Sequence, residues 1–371
     1  MIYFDYNATT PLDPRVADAM EPYLREHHGN PSSAHGPGRT VRAAVDRARD
    51  RLGRLIGCAA ERIVFTSGGS EANNQALKGV AWARGSGHII ISAVEHPSVA
   101  NPCRWLETHG FDLTVVGVDS TGCVDADQVR RAVRDDTILI SIMLANNEVG
   151  TLQPIRELCN ICADRIVLHT DAAQAVGKIP VRVDELGCDL LTVAGHKVYA
   201  PPGIGALYIR EGVELDPLIH GAGHEKGRRA GTEAVPAIVG LGAAAELVGE
   251  SLGDGGPDRV RALRDRFHQR LINALGDGLV LNGPVENRLP NTLNVGFSGQ
   301  VGVELLAKLP GICASPGAAC HSDRPIPSAV LQAMGVSDQA AVGAVRFSFG
   351  RFNTEAEIDR GAEQVIGAVK R

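Results

Sequence analysis

The sequence predicts an α/β protein with a mostly parallel central sheet and a smaller α+β domain. Three features point there. Short apolar runs rich in β-branched residues alternate with helical stretches over residues 40–209. One such run, Arg62–Thr66, enters the turn Ser67-Gly68-Gly69-Ser70 and opens straight into a helical stretch. A Gly-, Pro- and Asp-rich break at Ser251–Asp258 then precedes a region with a different rhythm.

The elements follow in order. Val41, Ala44, Val45, Ala48, Leu52, Leu55 and Ile56 recur at i, i+3 and i+4, which predicts an amphipathic helix over Thr40–Gly57. After the strand Arg62–Thr66, Glu71–Arg84 reads as helix. Strands are then predicted at His88–Val94, Leu113–Val118, Thr137–Leu144, Ile166–Thr170, Asp189–Val193 and Ile204–Ile209. Their near-continuous apolar character suits strands covered on both faces. Beyond the break, Arg259–Leu275 reads as helix, Asn291–Phe297 as strand, and a further helix starts at Val303.

The chain has 371 residues, 44% hydrophobic and 22% charged, enough for a large core and two domains. A formal net charge of −6, with no Lys/Arg-dense stripe bearing aromatics, argues against a nucleic-acid surface. The start MIYFDYNATTPLDPR lacks a basic segment followed by an apolar one, so no secretory signal is expected. Charges and glycines interrupt every apolar stretch, so no membrane span is expected and the cytoplasm is the expected location. The eight cysteines are scattered, which suggests reduced thiols. Cys159 and Cys162 form a C-x-x-C without a second pair at zinc-ribbon spacing; they read as two small residues on one helix face, and no metal site is expected.

Four strand ends carry residues suited to one chemistry. A strand, a Gly-rich turn and a helix make a phosphate site, because the backbone N–H groups of Gly69 and Ser70 open the helix; an ordinary N-cap by Ser67 or Ser70 is the plainer alternative. Lys197, in Ala194-Gly195-His196-Lys197, follows a buried strand, where desolvation lowers an amine's pKa and suits Schiff-base formation. Asp171 ends the strand IVLHT and could keep a pyridinium nitrogen protonated, the electron-sink arrangement of pyridoxal 5'-phosphate (PLP). Gln174 could bond the cofactor's phenolic oxygen, and His96 could stack on its ring and move protons. Phosphate turn, His, Asp and Lys all fall where a single crevice would need them. Cys320 closes GAAC, Gly317–Cys320, which continues the small-residue stretch Ala314–Gly317, and is a candidate nucleophile.

These residues resemble the cysteine desulfurase family, within the class V aminotransferase group of fold-type I PLP enzymes. The resemblance runs nearly end to end, from YFDYNATTPLDPRV through GNPSS, IVFTSGGSEANN, VEH, NNEVG, HTDAAQAVGK and GHK to GAGHEKGRRAGT, GAACHS and VRFSFGRFNTEAEID. It implies a large PLP-binding domain over 13–253 and a small domain of 1–12 plus 254–371 that carries the cysteine loop. It implies that Lys197 holds the cofactor, and that Gly69, Ser70, His196 and, from a neighbouring subunit, Thr232 bind its phosphate. Asp171, Gln174, His96 and Asn147 would hold the ring, and Arg346 the substrate carboxylate. Cys320 would attack the sulfur of L-cysteine, leaving L-alanine and a persulfide destined for a protein acceptor. A homodimer is implied by the role of Thr232. Two departures stand out. Ala194 replaces the serine common in the family, at a cost on the order of 1 kcal/mol of phosphate hydrogen bonding. The segment CHSDRPIPSAVLQAMGV resembles the selenocysteine lyase branch, so release of selenium from L-selenocysteine is the alternative activity. Another class V aminotransferase or a catalytically silent scaffold are the remaining rivals.

Overall fold

The structure is a computed structural model that describes residues 1–162, 165–321 and 324–371; the side chains of 318–321 and 324–326 are outside the description. Its strands, in chain order, are β1 Ile2–Tyr3, β2 Ile63–Thr66, β3 His88–Ser92, β4 Asp112–Val116, β5 Thr137–Ser141, β6 Val167–Asp171, β7 Leu190–Ala194 and β8 Gly205–Ile209. They continue with β9 Leu279–Asn282, β10 Thr292–Phe297, β11 Ile312–Cys313, β12 Ser315–Pro316, β13 Ala318–His321, β14 Arg324–Pro327 and β15 Ala344–Ser348.

Seven strands form one sheet in the order β2-β8-β7-β6-β5-β3-β4. Its pairs are parallel except around β8, which runs antiparallel to both β2 and β7. The cause is the short return from β7. A single 3₁₀ turn over Gly195–Lys197 and a few loop residues replace the crossover helix that a parallel partner needs. Strands β2, β3, β6, β7 and β8 are buried at every position, as their continuous apolar runs require, whereas the edge strand β4 leaves Asp112 and Val115 exposed. Apolar clusters cover both faces of this sheet.

A second sheet, β12-β15-β10-β9, is antiparallel throughout and has its own core. Phe267 stands at its centre, with ring centroids 5.4 Å from Phe4, 4.9 Å from Phe347 and 5.4 Å from Phe349. Ile2 and Phe4 belong to this core, and β1 pairs in parallel with β11. The chain therefore starts against the small sheet and only then crosses to the strand ends of the large one.

Several expectations shift. The first long helix spans Gly36–Ile56, four residues ahead of its predicted start, because Pro37 is tolerated in a first turn and His35 caps it. It ends at Gly57 with φ +74°, a left-handed cap position that favours glycine. The break at Ser251–Asp258 shrinks to Asp254 and Gly255, between the helices Val235–Gly253 and Gly256–Leu275. Glycine-rich sequence here supplies two helix ends, with Pro257 in a first turn. Cys159 closes the short helix Ile155–Cys159 and Cys162 lies past its end, so the C-x-x-C is not one helix face. The Cys159 thiol donates to the Gly187 carbonyl at 3.2 Å, and no metal-ligating cluster occurs among the described residues.

The helix Val235–Gly253 corrects a further expectation, since it is long and apolar enough to pass as a membrane span by composition. Its apolar length is explained by packing. Val235, Ile238, Leu241, Ala244, Ala245 and Val248 are buried in the main core. A Cβ at Gly242 would lie 2.6 Å from that of Ala48, so the glycine lets this helix approach Gly36–Ile56 closely.

Candidate active site

The carboxyl ends of the strands open into a cavity of about 580 Å3. Gly69, Ser70, His96, Asn147, Asp171, Gln174, His196, Lys197 and Arg346 all line it, joined by Asn7, Asn73 and Ser98. Nine residues singled out from sequence thus converge although they come from both sheets. Thr232 lies in an adjoining pocket that shares Ser67, Gly203 and Ile204 with this cavity. The Cys320 side chain is outside the description; its backbone sits in the hairpin β13–β14, paired with Pro325.

One end of the cavity is built by the helix Gly69–Arg84. Gly68 takes φ +150°, a conformation that L side chains rarely adopt, and a Cβ on Gly205 would lie 2.7 Å from it. The turn therefore needs glycine at both places. Amides in a first helical turn have no acceptor within the helix, so those of Gly69 and Ser70 are available to an anion. Ala194 borders this turn: a Cβ on Gly69 would lie 3.3 Å from its methyl.

Asp171 ends β6. Its Oδ1 accepts from the Ala173 amide at 2.9 Å, and its Oδ2 accepts from Asn73 Nδ2 at 2.7 Å. Asn73 also donates to Ser98 Oγ at 2.8 Å, and the Ser98 hydroxyl lies 2.7 Å from His96 Nδ1. One chain of contacts therefore orients the carboxylate and the imidazole. Burial lowers the His96 pKa, Lys197 adds to this, and Asp171 opposes it. His196 is pushed down to about 4 by burial and by the cations Lys197 and Lys178, so both rings are neutral near pH 7.

Lys197 Nζ donates to the carbonyls of Asn7 and, at 2.6 Å, Ala8. Burial brings its pKa down to about 8, helped by Arg346 and opposed by Asp5 and Asp171. A basic amine that is partly neutral near physiological pH suits capture of an aldehyde. Arg346, on β15, donates to the Asn147 carbonyl at 3.0 Å, to Asp5 Oδ1 at 2.8 Å and to Ser315 Oγ at 2.7 Å.

Sequence reasoning did not single out Asn7, Asn73 or Lys178. Asn73 was detectable as a polar residue at a buried helix position beside Ala72 and Ala76. Lys178 donates to Asn7 Oδ1 at 2.9 Å and to Gln174 Oε1, and burial with Lys197 and Arg346 nearby drives its pKa well below the usual lysine value. Gln174 in turn donates to the Asn7 carbonyl at 3.0 Å. Nothing in the spacing marks Asn7. Glu95 is also enclosed: Ser92 Oγ and the Met143 amide donate to it, and burial lifts its pKa to about 8.

A helix start with open amides, a strand-end carboxylate and a basic amine of depressed pKa around one cavity are the parts a PLP enzyme requires, and the residues fit the cofactor. Residues 2–360 match the family Aminotransferase class-V, and the chain belongs to that family. It is 48% identical over 363 residues to cysteine desulfurase IscS of Dictyoglomus turgidum, covering 96% of this chain and 92% of the relative. It is 44% identical over 375 residues to cysteine desulfurase IscS 1 of Archaeoglobus fulgidus, covering 100% and 97%. A solved structure described as a NifS-like protein superposes with a TM-score of 0.93 at 38% identity, covering 100% of this chain and 99% of that one. The chain is a PLP-dependent enzyme of fold-type I.

The Lys197 environment gives a pH dependence. Only the neutral amine attacks an aldehyde, so PLP capture by the apoenzyme should accelerate as pH rises through about 8 and level off above it. Borohydride trapping at timed intervals, with the adduct located by peptide mass, measures this. A rate flat from about pH 6.5 to about 9.5, or an adduct on another lysine, contradicts the assignment.

Proposed function

We propose that this chain is a cysteine desulfurase that converts L-cysteine to L-alanine and holds the removed sulfur on Cys320 for a protein acceptor. The observation that carries the reading is the convergence of Lys197, Asp171 and Arg346 on one cavity, with Arg346 also bonded to Ser315 on β12, just ahead of the hairpin bearing Cys320. Relatives named as cysteine desulfurases match over nearly the whole chain.

The roles follow from the positions. Gly69, Ser70 and His196 hold the cofactor phosphate, joined by Thr232 from a partner subunit. Asp171, Gln174, His96 and Asn147 hold the ring. When bound, PLP supplies an electron sink for the pair released at the substrate α-carbon. Arg346 pairs with the substrate carboxylate and fixes the α-carbon beside Lys197. Lys197 Nζ takes the α-proton. The Cys320 thiol gives up its proton, with His96 as acceptor, and its thiolate attacks the substrate sulfur. An S–S bond forms as the C–S bond breaks. The electron pair stays on the substrate carbon, which is protonated to give alanine, so one persulfide and one alanine arise from one cysteine and one thiol. Among the described residues no other cysteine lines the cavity.

The segment CHSDRPIPSAVLQAMGV resembles the selenocysteine lyase branch, so selenocysteine lyase is the alternative reading, and one variant separates the two. Cys320→Ser should lower alanine release from cysteine by about two orders of magnitude or more, while substrate-induced absorbance changes of the holoenzyme persist. Selenocysteine turnover should persist in part, because selenium leaves more readily. Desulfuration at the wild-type rate removes Cys320 as the nucleophile and moves attention to Cys313. A wild-type enzyme that strongly prefers selenocysteine, with that preference intact in the variant, replaces the desulfurase reading by the lyase one.

A homodimer belongs to the same proposal. Thr232 is exposed, and its loop is held by Glu225, which pairs with Arg49 at 2.6 Å, and by Arg229, which pairs with Glu71 at 2.8 Å. Sedimentation of the holoenzyme at micromolar concentration should give twice the 39.1 kDa of one chain. A fully active monomer contradicts it.

A further inference from the structure

The guanidinium of Arg346 has two edges shaped for a carboxylate, one made by Nη1 and Nη2 and one by Nε and Nη2. Nη2 belongs to both. It donates to Asp5 Oδ1 at 2.8 Å and to Ser315 Oγ at 2.7 Å. Ser315 Oγ donates in turn to the same Asp5 oxygen at 2.9 Å, closing a ring of three groups. Nη1 donates to the Asn147 carbonyl at 3.0 Å, and Nε is buried with no partner among the described residues. A carboxylate that grips Arg346 at two points must use Nη2, the nitrogen that Asp5 and Ser315 already share. Of the two, Asp5 is the chemical equivalent of the incomer and carries the same charge.

We propose that Asp5 is an internal carboxylate that competes with the α-carboxylate of the amino-acid substrate for Arg346. The inference rests on the reading that Arg346 binds that carboxylate. The side chains of Arg346 and Asp5 are 10% and 18% exposed, so their attraction is only weakly screened. Asp5 is fixed by the backbone, since its residue bridges to Ser348 beside β15. It neutralises a cation that would otherwise be enclosed alone at considerable cost. It also weakens substrate and product equally at the carboxylate, which keeps alanine from being retained. Asp5 is then a positioning and affinity-setting residue that takes no part in bond making.

The test is to titrate the PLP-loaded enzyme, by its absorbance change, with L-alanine and with ethylamine, which is alanine without the carboxylate. Wild type is compared with Asp5→Asn, Asp5→Ser and Arg346→Gln; two neutral replacements at position 5 cover the case in which one folds poorly. Loss of the competitor should tighten L-alanine binding on the order of tenfold and leave ethylamine unchanged. Weaker or equal L-alanine binding in the neutral variants overturns the proposal, because Asp5 then only aligns the guanidinium. Arg346→Gln tells the two levels apart. It should weaken L-alanine and spare ethylamine. If it spares both, Arg346 does not read the carboxylate, and the competition falls with it.

Discussion

The polar atoms of Asn7 are hydrogen-bonded to widely separated parts of the chain. Its amide donates to Ser348 Oγ at 2.9 Å, and its side-chain nitrogen donates to Thr292 Oγ1 at 2.9 Å and to the Asn147 carbonyl at 3.1 Å. Its side-chain oxygen accepts from Lys178 and Asn291, and its carbonyl accepts from Gln174 and Lys197. The residue is only 1% exposed, so each lost bond would leave a buried group unsatisfied. Phe4, three residues earlier, is locked in the aromatic core of the small sheet. Thr10, three residues later, donates its amide to the His196 carbonyl at 2.9 Å. The N-terminal segment thus places Lys197 and Gln174, from the large sheet, in fixed relation to β10 and β15 of the small one.

That junction concentrates charge. Lys197, Lys178 and Arg346 approach one another beside a cavity lined by the acids Asp171 and Glu71, with Asp5 paired to Arg346. Mutual repulsion and burial lower both lysine pKa values. Neutral histidines beside them keep the excess positive charge from growing. The result is a site that favours anions, as a phosphorylated cofactor and an amino-acid carboxylate both demand, while its amine is basic enough to take a proton and neutral often enough to react. Asn73 and Ser98 carry no charge, yet they set the directions of Asp171 and His96.

Much of this was legible in the sequence, for a definite reason. In a parallel sheet the functional side chains sit where a strand stops, so Gly69, His96, Asp171 and Lys197 were marked by the apolar runs immediately before them. The small sheet was less legible. Its strands pair residues far apart in sequence, as Leu293 does with Phe347, and no local period records such a pairing. Asn7 escaped for the same reason: its partners Thr292 and Ser348 lie 285 and 341 residues away. The antiparallel setting of β8 depended on the length of its connection, not on its composition. The break at Ser251–Asp258 misled because glycine and proline signal helix ends as readily as linkers.

The dependence of the site on the Asn7 junction is tested most directly by the PLP dissociation constant of Asn7→Ala, measured together with its unfolding free energy. The substitution removes one hydrogen-bond partner each from Lys178, Asn291 and Thr292 in a buried setting. The dissociation constant should rise by about tenfold or more, and stability should fall by about 3 kcal/mol. A variant that unfolds like wild type and binds PLP with unchanged affinity would show that Lys197 and Gln174 are placed without the N-terminal segment, and would contradict the central role given to Asn7.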